Sequence, residues 1–503
     1  MDVLRWPVVG AFLRWRHARK AFQLLLFFVA ALVILHGLFG PDTPTTNLAP
    51  LLTWVHYRGL LIVALLAAGN LFCAGCPFVL ARDAGRRIRP PGLRWPRRLR
   101  SKWFGIAMFV AILFVYELFD LWSLPRATAY LVLAYFGAAL AVDLAFSGAT
   151  FCKYLCPIGQ FNFISSTMSP LEVRIREEST CRSCRTVDCI KGRREAADSS
   201  PRRTRRTQRI KPDPEPLVTS VSSVSSVVKA VRVVQRGCEL NLFLPLKVGN
   251  MDCTFCLDCV HACPHDNIAL AARLPGMELV DPRRRSGVGR LVRRADIAVL
   301  AVLFVFGALL NAFAMVSPAY RLEAWLARLL GMTAEAPVLA VVFVVSLAVA
   351  PLLLVGGAAL TTRALAGGGS VGRIAATYAY ALVPFGFGMW LAHYGFHLLT
   401  GALTVIPIAQ NAVLHLIGWP ALGEPLWRLT GMRPGAVFPI QLGFILLGGV
   451  GSLALAYAIS DRDYPDRPGP ATAPWVVVTV ALASFAIWVI TQPMEMRGIG
   501  FLG

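Results

Sequence analysis

The chain has 503 residues, of which 56% are hydrophobic and 16% charged, the make-up of a polytopic membrane protein rather than of a soluble enzyme. Its formal net charge of +22 raises nucleic acid as a partner. The basic residues nevertheless collect in blocks beside apolar stretches, which argues for membrane topology and anionic lipid and against nucleic acid.

Apolar stretches long enough to cross a bilayer core of about 30 Å fall at roughly 20–40, 50–72, 103–124, 128–147, 295–316, 336–359, 374–400, 438–459 and 474–493. The first follows a basic start with no small-residue cleavage site, so it reads as a retained helix, not a signal peptide. Arg14, Arg16, Arg19 and Lys20 precede it, and Arg82, Arg86, Arg87, Arg94, Arg97, Arg98 and Arg100 crowd the loop after the second. The segment GPDTPTTNLAP between the first two has no basic residue. By the positive-inside rule the N-terminus and the long gap after the fourth span lie in the cytoplasm, and an odd number of spans leaves the C-terminus periplasmic. The expected fold is an all-α polytopic membrane protein of about nine transmembrane helices with a cytoplasmic ferredoxin-like insert. It divides into a four-helix domain (1–150), a cytoplasmic domain (151–293) and a five-helix domain (294–503), the localisation being a bacterial inner membrane.

All twelve cysteines fall on the side assigned as cytoplasmic, where thiols stay reduced and bind metal rather than pair. The run MDCTFCLDCVHACP places Cys253, Cys256, Cys259 and Cys263 in a C-x2-C-x2-C-x3-C-P spacing, the iron–sulfur run of bacterial ferredoxins. Upstream, STCRSCRTVDCIKG supplies Cys181, Cys184 and Cys189. No cysteine–proline follows it. A basic Ser- and Pro-rich segment at about 191–232 intervenes, read as a disordered insertion, and then comes Cys238 in RGCELN. Because the fourth cysteine of such a run serves the neighbouring cluster, the expectation is two [4Fe-4S] clusters, one on Cys181, Cys184, Cys189 and Cys263, the other on Cys253, Cys256, Cys259 and Cys238. Zinc is the alternative for four cysteines at this spacing, and a buried free thiol the alternative for Cys238.

A weaker repeat lies in the first group of spans. GNLFCAGCPF carries Cys73 and Cys76, and GATFCKYLCPIGQF carries Cys152 and Cys156, each pair ending a helical hairpin just before a proline. These four are candidates for additional redox or metal chemistry, as two separate pairs or as one site.

The paired cysteine–proline motifs at helix ends, followed by the CTFCLDCVHACP run, resemble the NapH/NosR-type membrane polyferredoxins, over about residues 20 to 275. The resemblance implies an iron–sulfur electron-transfer protein, an oxidoreductase component. It would link cytoplasmic clusters and a quinone or quinol to a redox protein partner, the subunits of a respiratory reductase, or their maturation. The first pair departs from the family spacing, and the five C-terminal spans are unmatched. A copper-handling assembly factor and a redox-sensing transporter are the rival readings.

Ionisable residues within spans default to functional candidates. His36, His56, Arg58, Glu117 and Asp120 lie in the outer parts of the first three spans, and His393 and His397 share one face of a later helix. They are the candidates for a quinone or haem b site, with Arg58 placed to pair with Glu117 or Asp120.

Overall fold

The computed structural model describes residues 1–88, 91–196, 231–251, 253–281, 285–286 and 289–495. Among them, eight helices are long and apolar enough to cross a bilayer: Ala18–Phe39, Leu48–Ala68, Pro125–Ala145, Ala295–Phe313, Glu335–Ala366, Val371–Thr400, Pro434–Asp463 and Pro468–Thr491. The stretch read at 103–124 forms a helix only over Trp103–Leu118, about 24 Å long at 1.5 Å per residue. The chain leaves that helix through Asp120, held at φ 44°. A further short apolar helix, Val405–Ile417, lies outside the nine stretches read from the sequence. Proline opens Pro125–Ala145, Pro434–Asp463 and Pro468–Thr491. At that position its missing N–H wastes no helical hydrogen bond and its φ is already helical.

The centre of the bundle is made by Ala295–Phe313 and Val371–Thr400, whose most apolar 18-residue windows are 83% and 89% buried, against 17% for that of Ala18–Phe39. Phe161 packs its ring against Phe304 and Trp390 at 5.4 and 5.2 Å, and the Trp390 indole N–H donates to the Phe304 carbonyl at 2.9 Å. That bond satisfies the one polar group the indole carries into the core. Gly388 lets its helix meet Pro434–Asp463 closely, since a Cβ there would stand 2.4 Å from the Phe444 carbonyl oxygen. The same core takes in Phe163, Ile164, Leu240 and Leu279. It therefore runs across the boundary that the sequence reading places at 150/151.

A small module carries the later cysteines. Strand β1 (Leu171–Ile175) pairs antiparallel with β4 (Ile268–Ala272), Val173 opposite Leu270. Strand β2 (Arg193–Ala196) pairs antiparallel with β3 (Val231–Gln235). Helices Glu178–Ser183 and Asp188–Lys191 lie between β1 and β2, and Asp258–Ala262 lies between β3 and β4. The two ends of the segment read as an insertion are thus strands that pair with each other, while 197–230 lie outside the described residues.

The start of the chain completes this module. Asp2 accepts from the Arg176 guanidinium at 2.9 Å and from the Leu270 N–H at 3.2 Å. Leu4 is fully buried in a cluster with Val173, Phe255, Leu257 and Leu270. Because truncating a buried leucine leaves a cavity, Leu4→Ala is expected to destabilise the module by about 2–5 kcal/mol. A lowered midpoint of thermal unfolding of the purified protein checks this, and an unchanged midpoint counts against it.

Helix direction follows from end contacts. The Lys102 N–H donates to Asp296 Oδ2 at 2.7 Å, and Asn70 Nδ2 donates to the Cys253 carbonyl at 3.1 Å. Both contacts lie at the end of the bundle that carries the cysteine module. Val316, at the opposite end of the helix that Asp296 begins, bridges to Met494. The described C-terminal residues therefore sit at the end of the bundle away from the module.

Candidate metal centres

All twelve cysteines are free thiols. Cys181, Cys184, Cys189 and Cys263 line one cavity of about 70 Å³, together with Val187, Pro245 and Asn267. Asn267 holds sulfurs from both runs. Its side-chain Nδ2 donates to Cys181 Sγ at 3.3 Å and its backbone N–H to Cys263 Sγ at 3.5 Å. Burial first, then Cys263 and Cys181 beside it, pushes the Cys189 thiol up to about 11.

Cys238 is tied to this first set by its backbone N–H, which donates to the Cys189 carbonyl at 2.7 Å. Its thiol bears on Cys189 of the first set and on Cys253, Cys256 and Cys259 of the second. Burial and then the neighbouring Cys256, Cys238 and Cys253 raise the Cys259 thiol well above its ordinary range. The Leu242 N–H donates to Cys238 Sγ at 3.3 Å.

The two halves repeat locally. Val187 precedes Asp188 and Cys189, and Leu257 precedes Asp258 and Cys259. Both Val187 and Leu257 are left-handed, at φ 55° and 57°, and each caps the short helix that follows. A β-branched residue in that region is a genuine outlier, and such strain concentrates where the surrounding structure over-determines the backbone.

The juxtamembrane pairs come together. Cys73, Cys76, Cys152 and Cys156 line one cavity, walled by Phe72, Phe78, Ile158, Phe163, Glu239 and Thr254. The Gly159 N–H donates to Cys156 Sγ at 3.2 Å, and Asn162 Nδ2 to Cys73 Sγ at 3.3 Å. Burial, with Cys76 beside it, pushes the Cys73 thiol up to about 12. Sequence reading left open whether these were two pairs or one site, since hairpin ends separated by a basic loop give no signal of convergence.

Beside the second set lies a charge network that sequence reading missed. Arg19 donates to Glu239 Oε2 at 2.7 Å and to Asp258 Oδ2 at 2.5 Å. Arg82, 1% exposed, pairs with Glu239 and lies 3.0 Å from Asp83 Oδ1 and 3.6 Å from Asp143 Oδ2. Burial alone would raise the Glu239 carboxyl, but Arg82 and Arg19 hold it down to about 2. The one signal available was position: Glu239 follows Cys238 directly.

The membrane candidates scatter. Arg58 lies over the Trp54, Tyr116 and Tyr394 rings at 4.4, 4.1 and 5.2 Å, a cation–π arrangement. It lines an apolar cavity of about 220 Å³ with Tyr57, Phe72, Phe78, Tyr135, Ile158 and Tyr394. His36 Nδ1 instead accepts from the Leu48 N–H at 3.2 Å, and His56 Nε2 lies 3.2 Å from the Ala402 carbonyl. Glu117 accepts from Asn311 Nδ2 at 3.3 Å. His393 and His397 stand edge to face at 5.1 Å, and neither buried Nε2 has a hydrogen-bond partner. Of the seven candidates, Arg58 alone is among the residues lining this cavity. Asp120 lies in the turn after Trp103–Leu118, and its carbonyl accepts from the Ser123 N–H at 2.7 Å.

Among the described residues, no three His, Cys, Asp or Glu side chains converge closely enough to hold a single metal ion. One tetrahedral ion with bonds of about 2.3 Å would draw four thiolates to within about 4 Å of each other. Two of the sets line shared cavities as all-thiol quartets, Cys181 with Cys184, Cys189 and Cys263, and Cys73 with Cys76, Cys152 and Cys156, and N–H groups donate to sulfur in both. No protein-family model matches the chain, and no curated protein or solved structure matches it.

Proposed function

We propose that the protein is a membrane iron–sulfur electron carrier of the NapH/NosR polyferredoxin type. It holds two [4Fe-4S] clusters in the 171–272 module and exchanges electrons with a quinone in the membrane and with a redox partner. The observation that carries the reading is the cavity shared by Cys181, Cys184, Cys189 and Cys263, because the fourth thiol comes from the other run, as the two-cluster ferredoxin arrangement requires. The strand order supports it too. With β1 against β4 and β2 against β3, and helices between, the module follows a β-α-β-β-α-β plan.

Clusters bound there supply one-electron chemistry. The chain's own part is to set their potentials. Asn267 and the Leu242 N–H donate to sulfur, and such bonds favour the more negative, reduced state. Cations also stand near the module's thiols: Arg19 and Arg82 pair with Glu239, and Lys247 Nζ lies 3.2 Å from Glu172 Oε1. The apolar cavity at Arg58 supports the quinone, since a flat lipophilic ring needs apolar walls and a few polar anchors. The basic loops beside the module, and Met494 at the opposite end of the bundle, support a cytoplasmic module and a periplasmic C-terminus in a bacterial inner membrane.

Anaerobically purified protein tests the reading by content. The eight cysteines from Cys181 to Cys263 are expected to account for about eight irons and eight acid-labile sulfides. Stoichiometric zinc with little sulfide would sink it. Copper retained after alanine replacement of those eight would point instead to a metal-handling factor.

A further inference from the structure

We infer that Cys73, Cys76, Cys152 and Cys156 together hold a third iron–sulfur centre, set between the cysteine module and the apolar membrane cavity. The inference rests on the iron–sulfur reading above and adds to it a site that the spacing of the two pairs does not assign.

Four thiols from two helical hairpins line one cavity, although the pairs are separated in sequence by a basic loop and two apolar helices. Each pair closes on a proline that starts a helix, Pro77–Ile88 and Pro157–Ser165. Cys156 caps the second of these through the Gly159 N–H, and the N–H groups of Phe78 and Val79 bear on Cys76 in the same way. Two helix N-termini are therefore turned to one space, and their partial positive charge favours thiolates there. Asn162 adds a side-chain donor to Cys73. The backbone is also cut close. A Cβ on Gly159 would stand 3.0 Å from the Cys152 carbonyl oxygen and 3.6 Å from Cys156 Sγ.

The neighbours of this space fix its place. Thr254 and Glu239 wall it on one side, and each adjoins a cysteine of the second module set, Cys253 and Cys238. Phe72, Phe78 and Ile158 line it too and also line the cavity that holds Arg58. A centre held here occupies the gap between the module and the membrane cavity. Four thiols without a nitrogen ligand among them are the donor set of a polynuclear iron–sulfur group, two-iron or four-iron.

The test is an inventory of the whole chain, purified anaerobically or reconstituted with iron and sulfide. The native protein is expected to carry about ten to twelve irons with matching sulfide, and the variant with Cys73, Cys76, Cys152 and Cys156 all changed to Ala about eight. An electron paramagnetic resonance signal of the dithionite-reduced native protein should be missing from that variant while the module's signals persist. About eight irons in the native protein overturns the third centre and leaves the proposed function standing. Equal iron in native and variant protein, or zinc or copper in place of the excess, overturns it as well. A native protein without iron and sulfide overturns both. Should the quadruple variant fail to fold, the native count and the same measurements on Cys152→Ala alone decide.

Discussion

Cys263→Ala is expected to remove about four irons from the chain, and adding Cys184→Ala is expected to remove no more, whereas adding Cys256→Ala is expected to remove about four further irons. The expectation follows from which space Cys263 faces. It lines the cavity of Cys181, Cys184 and Cys189, and the same residue, Asn267, donates to its sulfur and to that of Cys181. Local reach explains the crossing: Cys253 and Cys256 lie in the turn before Asp258–Ala262, Cys259 lies in its first turn, and that helix then carries Cys263 to the neighbouring set. Under the proposed arrangement Cys238, which follows β3, makes the reciprocal crossing. Were all four cysteines of the 253–263 run to share one cluster, Cys263→Ala and Cys256→Ala would fall on the same iron, and the double variant would lose only about four. Iron and sulfide analysis of the three variants, each read against the native chain, separates the two cases.

What the sequence made legible follows periodicity and spacing. Eight apolar stretches became helices long enough to cross a bilayer, because a run of about twenty apolar residues has few other ways to satisfy its backbone in lipid. The turn that ends the third stretch could not be foreseen: residues 119 to 124 are nearly as apolar as the helix before them, and the departure lies in the backbone at Asp120. Spacing could group the module's cysteines into runs because neighbouring thiols in a turn are fixed by local geometry. It could not place Cys152 beside Cys73, since that depends on how two hairpins rotate against each other. The faces of the membrane histidines were illegible for the same reason. Depth along a helix can be read from hydropathy, but the face that His36 or His56 presents is set by packing, and both are engaged with backbone atoms at the bundle's outer end. The charge network was invisible because Arg19, Arg82 and Glu239 look, in sequence, like ordinary members of basic and polar loops.

Arg82→Met is expected to destabilise the protein by about 3–5 kcal/mol, the cost of breaking a buried ion pair by removing one partner. Arg82 projects from the helix Pro77–Ile88, which begins beside Cys76, and meets Glu239, the neighbour of Cys238. It thus joins the end of the membrane bundle to the second cysteine set. Without it, Glu239 keeps Arg19 alone among the described cations, and Asp143, 3% exposed, keeps Arg86 at 4.0 Å. A carboxylate in that position cannot recover the lost water, so the penalty falls on the folded state. Charge, rather than bulk, carries the effect, and this gives the second arm of the test. Arg82→Met combined with Glu239→Met removes both members of the pair and is expected to be less destabilising than Arg82→Met alone, with a coupling of about 0.5–3 kcal/mol. Thermal unfolding of the detergent-solubilised variants, followed by size-exclusion recovery after heating, reads both values. If Arg82→Met unfolds at the native temperature, Arg82 is no anchor for the module. If the double variant falls as the simple sum of the two single changes, the pair contributes through volume, and the junction between bundle and module is held by packing around Phe163 and Leu240 rather than by charge.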